Sequence, residues 1–158
     1  MAVADLIGAA VGVLLLVIVA YILVGSTLSV AETVTNAQKA AALQEQIQMR
    51  TDFSIDEAVA DGPDFNCTIN NTGREIISDF RHMDVIVYDN DTRDYQLYLY
   101  NATGGPGTWT ITDKGSDIIH PSELDPGETY RIKVMTEGIS PYWFQITTAN
   151  GISASGFL

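Results

Sequence analysis

Residues 6–24 read LIGAAVGVLLLVIVAYILV, nineteen positions without a charge and with Tyr21 as the only side chain carrying a polar group. A helix of about 20 apolar residues spans a hydrocarbon core roughly 30 Å thick. Leu6, Ile7, Val11, Leu14, Leu15, Val17, Ile18, Tyr21, Ile22 and Val24 surround such a helix on all sides instead of forming one stripe. Each face therefore needs lipid or protein against it. Three structures satisfy that demand: a cleaved secretory signal, a single-span anchor, and a filament-forming helix bundled with copies of itself. Ser29-Val30-Ala31 would serve for cleavage. Against the signal, the n-region carries Asp5 and no Lys or Arg, and the run is longer than a usual h-region.

Downstream, residues 32–49 contain neither Pro nor Gly and are rich in Ala, Gln, Leu, Glu and Lys, all good helix formers. Val34, Ala37 and Ala41, and again Ala40, Leu43 and Ile47, repeat at i, i+3, i+7 and give a faint apolar stripe. The spacing predicts one helix to about Met49, about 70 Å long at 1.5 Å per residue. Residues 1–50 are read as a hydrophobic helix continued by a stalk.

At Thr51 the period changes from helical to alternating. Phe65/Cys67/Ile69, Met83/Val85/Val87, Tyr95/Leu97/Leu99, Trp109/Ile111, Tyr130/Ile132/Val134 and the run 142–148 alternate with polar residues between Gly, Pro, Asn and Asp breaks. That pattern signals half-buried antiparallel strands. About eight short strands in residues 51–158 fit an all-β sandwich of immunoglobulin type. On Tyr95–Tyr100 the alternation puts Tyr95 and Leu97 on the core face. Gln96, Tyr98 and Tyr100 are left as an exposed, partly aromatic surface for a protein contact. Trp109 and Trp143 are both read as core, and Gly104-Gly105-Pro106-Gly107 as a hairpin tip.

Charge is uneven along the chain. Of a net −12 for 158 residues, 17 acidic and 6 basic side chains fall in residues 51–158, a net of −11. Such a domain repels nucleic-acid phosphates and anionic headgroups, so no nucleic-acid partner is expected. Cys67 is alone, which excludes an intramolecular disulfide and a cysteine metal site.

Four of the seven Asn head sequons, at Asn66, Asn70, Asn90 and Asn101. Read as glycan acceptors they place the domain outside the cell, while turn chemistry alone also favours Asn and Thr. Asp89, Asp91 and Asp94 are candidate ligands for a hard cation. The run lacks the Gly and distal Glu of a calcium loop and contains Arg93, which favours a solvated hairpin tip. With two histidines, no nucleophile elbow and no phosphate loop, the chain is read as a non-enzyme without a cofactor.

The junction Arg50-Thr51-Asp52-Phe53-Ser54-Ile55, following an apolar helix and an Ala/Gln stalk, resembles the archaellum accessory proteins FlaG and FlaF. So do Asn71-Thr72-Gly73 followed by Met83-Asp84-Val85-Ile86-Val87, the turn Leu124-Asp125-Pro126-Gly127-Glu128, and the closing Thr147-Thr148-Ala149-Asn150-Gly151-Ile152-Ser153. The resemblance implies a surface-motility role, with a helix in the membrane and an immunoglobulin-like domain in the pseudoperiplasm. That domain would engage the S-layer, sister subunits or copies of itself, as stator or as filament component. Archaellins and type IV pilins carry a basic stretch before the apolar helix. Met1-Ala2-Val3-Ala4-Asp5 has none, so either the numbering starts at or near a mature end or the N-terminus is kept, and the second case fits a membrane-retained accessory protein better than a polymerising archaellin. From another class, a membrane-tethered ligand- or carbohydrate-binding module would need an aromatic cluster, for which Tyr95, Tyr98 and Tyr100 are the candidates.

Overall fold

The computed structural model describes residues 2–117 and 119–158, apart from the side chain of Ala2. Met1, the first residue of the leader comparison, lies outside the described residues. The chain forms two compact units, one ending at Gln44 and the other Glu45–Leu158. A single helix, α1 (Ala2–Arg50), runs through the first unit and ends inside the second. Its hydroxyls bond back along the helix, Thr27 Oγ1 donating to Leu23 O at 2.7 Å and Thr33 Oγ1 to Ser29 O at 2.9 Å. Each such bond returns a hydroxyl to the helix's own backbone.

Eight strands follow among the described residues: β1 (Ser54–Asp61), β2 (Asp64–Asn70), β3 (Asp84–Asp89), β4 (Asp94–Tyr100), β5 (Thr108–Asp113), β6 (Thr129–Met135), β7 (Pro141–Thr147) and β8 (Ser153–Phe157). Their hydrogen-bonded order is β1-β2-β6-β5-β4-β3-β7-β8. Every pairing is antiparallel except β4 with β5, which meet in parallel at only two positions, Leu99↔Thr108 and Tyr100↔Trp109. Those two pairs join the halves β1-β2-β6-β5 and β4-β3-β7-β8, which fold over one core as the two layers of a sandwich. Phe65 of β2 and Phe144 of β7 meet across it with ring centroids 4.8 Å apart.

Trp109, Tyr98, Tyr130, Phe65 and Phe144 are the bulkiest fully buried side chains. Phe65, Cys67 and Ile69, Val85 and Val87, Tyr130, Ile132 and Val134 lie inward as their alternation predicts. Burial also pushes the Cys67 thiol up to about 12, leaving it an inert apolar filler. On β8 the inward position opposite Phe144 is Gly156, where a Cβ would sit 2.9 Å from the phenyl ring. Only a glycine lets that edge strand close on the core.

Three expectations are corrected here. Gly104–Gly107 is no hairpin tip, because the strands it connects run parallel. Trp143 is outside the core: it lies half-buried on the outer side of β7 while its neighbour Phe144 points inward. The faces of β4 are also reversed. Tyr98 is 2% exposed, whereas Tyr95, Leu97 and Leu99 are 62%, 56% and 55% exposed. The register explains this reversal. Val85 pairs with Tyr98 and Val87 with Gln96, directly paired residues share a face, and the two valines face the core. The Tyr98 hydroxyl donates to Gln96 Oε1 at 2.8 Å, which makes its burial tolerable.

Candidate functional site

Leu6–Val24 lies within α1, a helix long and apolar enough to cross a membrane. Leu6, Ile7, Val11, Leu14, Leu15, Val17, Ile18, Tyr21, Ile22 and Val24 are all exposed, between 46% and 81%.

Inside the second unit, the last turn of α1 is fastened to the loops around it. Thr51 N donates to Ile47 O at 3.0 Å, its hydroxyl donates to the same carbonyl at 2.9 Å, and Asn150 Nδ2 donates to that hydroxyl at 2.7 Å. Gln48 Nε2 reaches Asn150 O at 2.8 Å. Arg74 N donates to Arg50 O at 2.7 Å and Gly73 N to Asp52 O at 2.9 Å, so the orphan carbonyls of a helix end are partly satisfied by the 71–74 turn. Asn71, 1% exposed, holds that turn by donating to Glu75 O and Leu124 O at 2.9 and 2.8 Å. A Cβ on Gly73 would fall 2.5 Å from Asp52 N and 2.6 Å from Arg50 O. Gly73→Ala is therefore expected to cost about 1–3 kcal/mol by overpacking. Thermal melting reads this, and an unchanged midpoint would refute the close approach. The sequence pointed to these positions only as elements of the family resemblance. Their role depends on contacts far apart in the chain.

The acidic run does not converge into a cation site. Asp89 is 1% exposed, and its carboxylate accepts Thr92 Oγ1 at 2.6 Å, Ser140 N at 3.0 Å and Asp91 N at 3.1 Å. The Thr92 hydroxyl first, helped by those amides, holds its carboxyl below the ordinary carboxylate range. Asp91 and Asp94 are exposed, and no cluster of metal-ligating side chains occurs among the described residues. Asp89 is a turn cap that ties the β3–β4 hairpin to the residue before β7.

Of the sequons, Asn90 is exposed at the β3–β4 tip. Asn66 lies within β2 opposite Lys133, and the side-chain oxygen of Asn70 is buried without a partner. Asn101 is locked in an Asx turn, its Oδ1 accepting Thr103 N at 3.1 Å and Thr103 Oγ1 at 2.9 Å.

Both histidines pair with carboxylates: His82 with exposed Asp79 at 2.7 Å and His120 with buried Asp125 at 2.9 Å. The hydrogen bond that the His120 ring donates to Asp125, reinforced by the carboxylate's charge, raises His120 above its ordinary 6.5. A raised folded value means the pair stabilises the fold fully below pH 6.5 and ceases to do so as the pH climbs through the folded value. Wild-type melting temperature minus that of His120→Gln should therefore shrink as the pH rises above about 6.5. A difference independent of pH would refute the linkage.

The outer side of the β4-β3-β7 layer carries three large exposed apolar side chains, Tyr95, Leu97 and Leu99. Registers there give three rows across the strands: Tyr95/Tyr88/Trp143, Leu97/Ile86/Gln145 and Leu99/Asp84/Thr147. Tyr88 packs on Tyr95 at 5.2 Å, and Trp143 sets its edge against Tyr95 at 6.2 Å. The predicted contact residues Gln96, Tyr98 and Tyr100 are not on this side. Tyr100 borders a shallow cleft with Phe80 and Asn101 instead.

No family model and no curated protein matches the chain. Among solved structures it is similar to the archaellum periplasmic stator protein FlaG from Sulfolobus acidocaldarius, with 25% identity and a TM-score of 0.54 over 68% of this chain and 99% of that one. It is also similar in fold to a chain of the archaellum periplasmic stator protein complex of FlaF and FlaG from the same organism, at 24% identity and TM-score 0.50 over 67% and 87%. The resemblance to the archaellum accessory proteins read from the junction and turn residues is therefore also present in three dimensions, and in fold the chain is similar to the archaellum stator protein FlaG.

Proposed function

We propose that this chain is a structural, non-catalytic component of an archaeal surface motility machine, held in the membrane by Leu6–Val24 with its β unit outside the cell. The observation that carries the proposal is the similarity to the solved chain of the stator protein FlaG over 99% of that chain, joined to a helix whose apolar side chains are exposed. The β unit works by holding neighbours, the S-layer or a sister subunit, and exposed Asn90 is the sequon that carries a glycan. The histidine–carboxylate pairs have no nucleophile assigned to them and serve local structure. Cells lacking the chain should keep archaella but lose swimming. Normal swimming would overturn a stator role. Purified surface polymers made of this chain alone would establish the filament-subunit alternative, in which α1 helices bundle as the filament core.

A further inference from the structure

We propose that the N-linked glycan of Asn90 folds back over the aromatic row Tyr95/Tyr88/Trp143, with its first sugar, an all-equatorial hexopyranose, stacked on those rings. The inference rests on the reading of Asn90 as a glycan acceptor and adds where the sugar lies.

Position in the chain separates this sequon from the other three. Two places before each acceptor stand Asp64 for Asn66, Thr68 for Asn70, Tyr88 for Asn90 and Leu99 for Asn101. Residues i and i+2 of an extended chain project to the same side, about 6.6 Å apart, while immediate neighbours project to opposite sides. Asn90 is therefore the one acceptor with an aromatic ring a single strand repeat away on its own side. Hydrogen bonding on the β7 side of β3 continues to the acceptor itself, since Asn90 N donates to Ser140 O at 2.9 Å.

The tip also leaves the acceptor amide available. Asp89 organises it, its carboxylate taking Thr92 Oγ1 and the amides of Asp91 and Ser140 and its carbonyl taking Arg93 N at 2.9 Å. None of these bonds uses the Asn90 side chain, which is exposed. At Asn101, by contrast, Nδ2 already donates to Gly104 O at 3.1 Å. Glycan attachment at Asn90 forms a bond from Nδ2 to the anomeric carbon of a sugar carried on a lipid phosphate. The bond from that carbon to the phosphate oxygen breaks, the lipid phosphate leaves with the electron pair, and the amide gives up one proton.

The rings form a platform before any sugar arrives. Tyr88 and Tyr95 lie 5.2 Å apart, and Trp143 stands edge-on to Tyr95 at 6.2 Å. Tyr95 is largely exposed. An aromatic face carries negative potential. The C–H groups on one side of an all-equatorial hexopyranose, polarised by the ring and hydroxyl oxygens, carry the complementary positive charge. The covalent tether selects this occupant over a free partner: it holds the sugar at an effective concentration in the millimolar range or above, where weak contacts suffice.

The test uses the full chain in detergent, purified from the cells that glycosylate it. Mass spectrometry of the peptide containing Asn90 reads occupancy, and an unmodified peptide would remove the acceptor and this inference with it. With the acceptor occupied, Asn90→Gln should lower the melting midpoint by about 4 °C. In a Tyr95→Ala background, which keeps the fold because Tyr95 is exposed, the same change should lower it much less. Acrylamide quenching of tryptophan fluorescence reports Trp143, since Trp109 is fully buried, and should increase in Asn90→Gln. Equal drops in the two backgrounds, or unchanged quenching, would mean that an attached glycan projects into solvent. Stacking would then fail while the acceptor reading stood. Neither failure touches the motility role, whose own failure is normal swimming without the chain.

Discussion

The double variant Leu15→Lys, Val19→Lys is expected to leave the membrane fraction and appear with soluble protein. Leu15 is the midpoint of the uncharged stretch, and Val19 lies one turn further along the same face. Lysine at the centre of a span costs about 3 kcal/mol, while leucine or valine there contributes about −0.5 kcal/mol. The two changes together therefore penalise insertion by roughly 6–7 kcal/mol, more than a 10⁴-fold shift in partitioning. Snorkelling relieves lysines near the ends of a span far better than at its centre. Carbonate washing of membranes from expressing cells reads the effect directly. Lysines placed instead at Ala40 and Gln44, beyond the apolar run, should leave partitioning as in wild type. Retention of the Leu15/Val19 variant in washed membranes would mean that the stretch is not the anchor.

The second large effect is at the centre of the sandwich. Trp109→Ala is expected to remove about 3–5 kcal/mol of stability, since the indole fills space that neighbouring strands cannot collapse into. Trp109 is fully buried, packs on Tyr100 at 4.9 Å, and donates its Nε1 hydrogen to Met83 O at 3.3 Å. It also stands in one of the two pairs that join the layers. Removing it orphans a carbonyl as well as opening a cavity. For a domain near this size each kilocalorie shifts the melting midpoint by about 4–8 °C, so a drop of about 15 °C or more is expected. Far-UV circular dichroism of the two single tryptophan variants makes the comparison. Trp143→Ala, on the outer side, should move the midpoint far less, and equal shifts would mean that the core is wrongly assigned.

That contrast shows how far local pattern reaches. The helical, unbroken composition of residues 2–50 and the alternation after Thr51 depend on neighbours a few positions away, so both were legible in the chain. The inward sides of β2 and β6 were legible too, because each has apolar residues at every second position and polar ones between. The run Tyr95–Tyr100 has large residues on both sides, and its period alone does not say which side is wet. Its pairing with Val85 and Val87 decided that, turning Tyr98 inward and leaving Tyr95, Leu97 and Leu99 outward. The two faces of this strand are therefore the reverse of the sequence expectation.

Amino-acid order alone determined an uncharged rod long enough for a bilayer, an acidic all-strand unit after it, and a lone cysteine that cannot staple anything. These are sums over local composition, and they hold whatever the chain packs against. Only the tertiary structure decided that Asp89 ties the β3–β4 turn to Ser140, that Asn71 and Gly73 receive the end of α1, and which tryptophan is core. Asp89 meets Ser140, Asn71 meets Leu124 and Trp109 meets Met83 only because the fold brings together positions far apart in the chain.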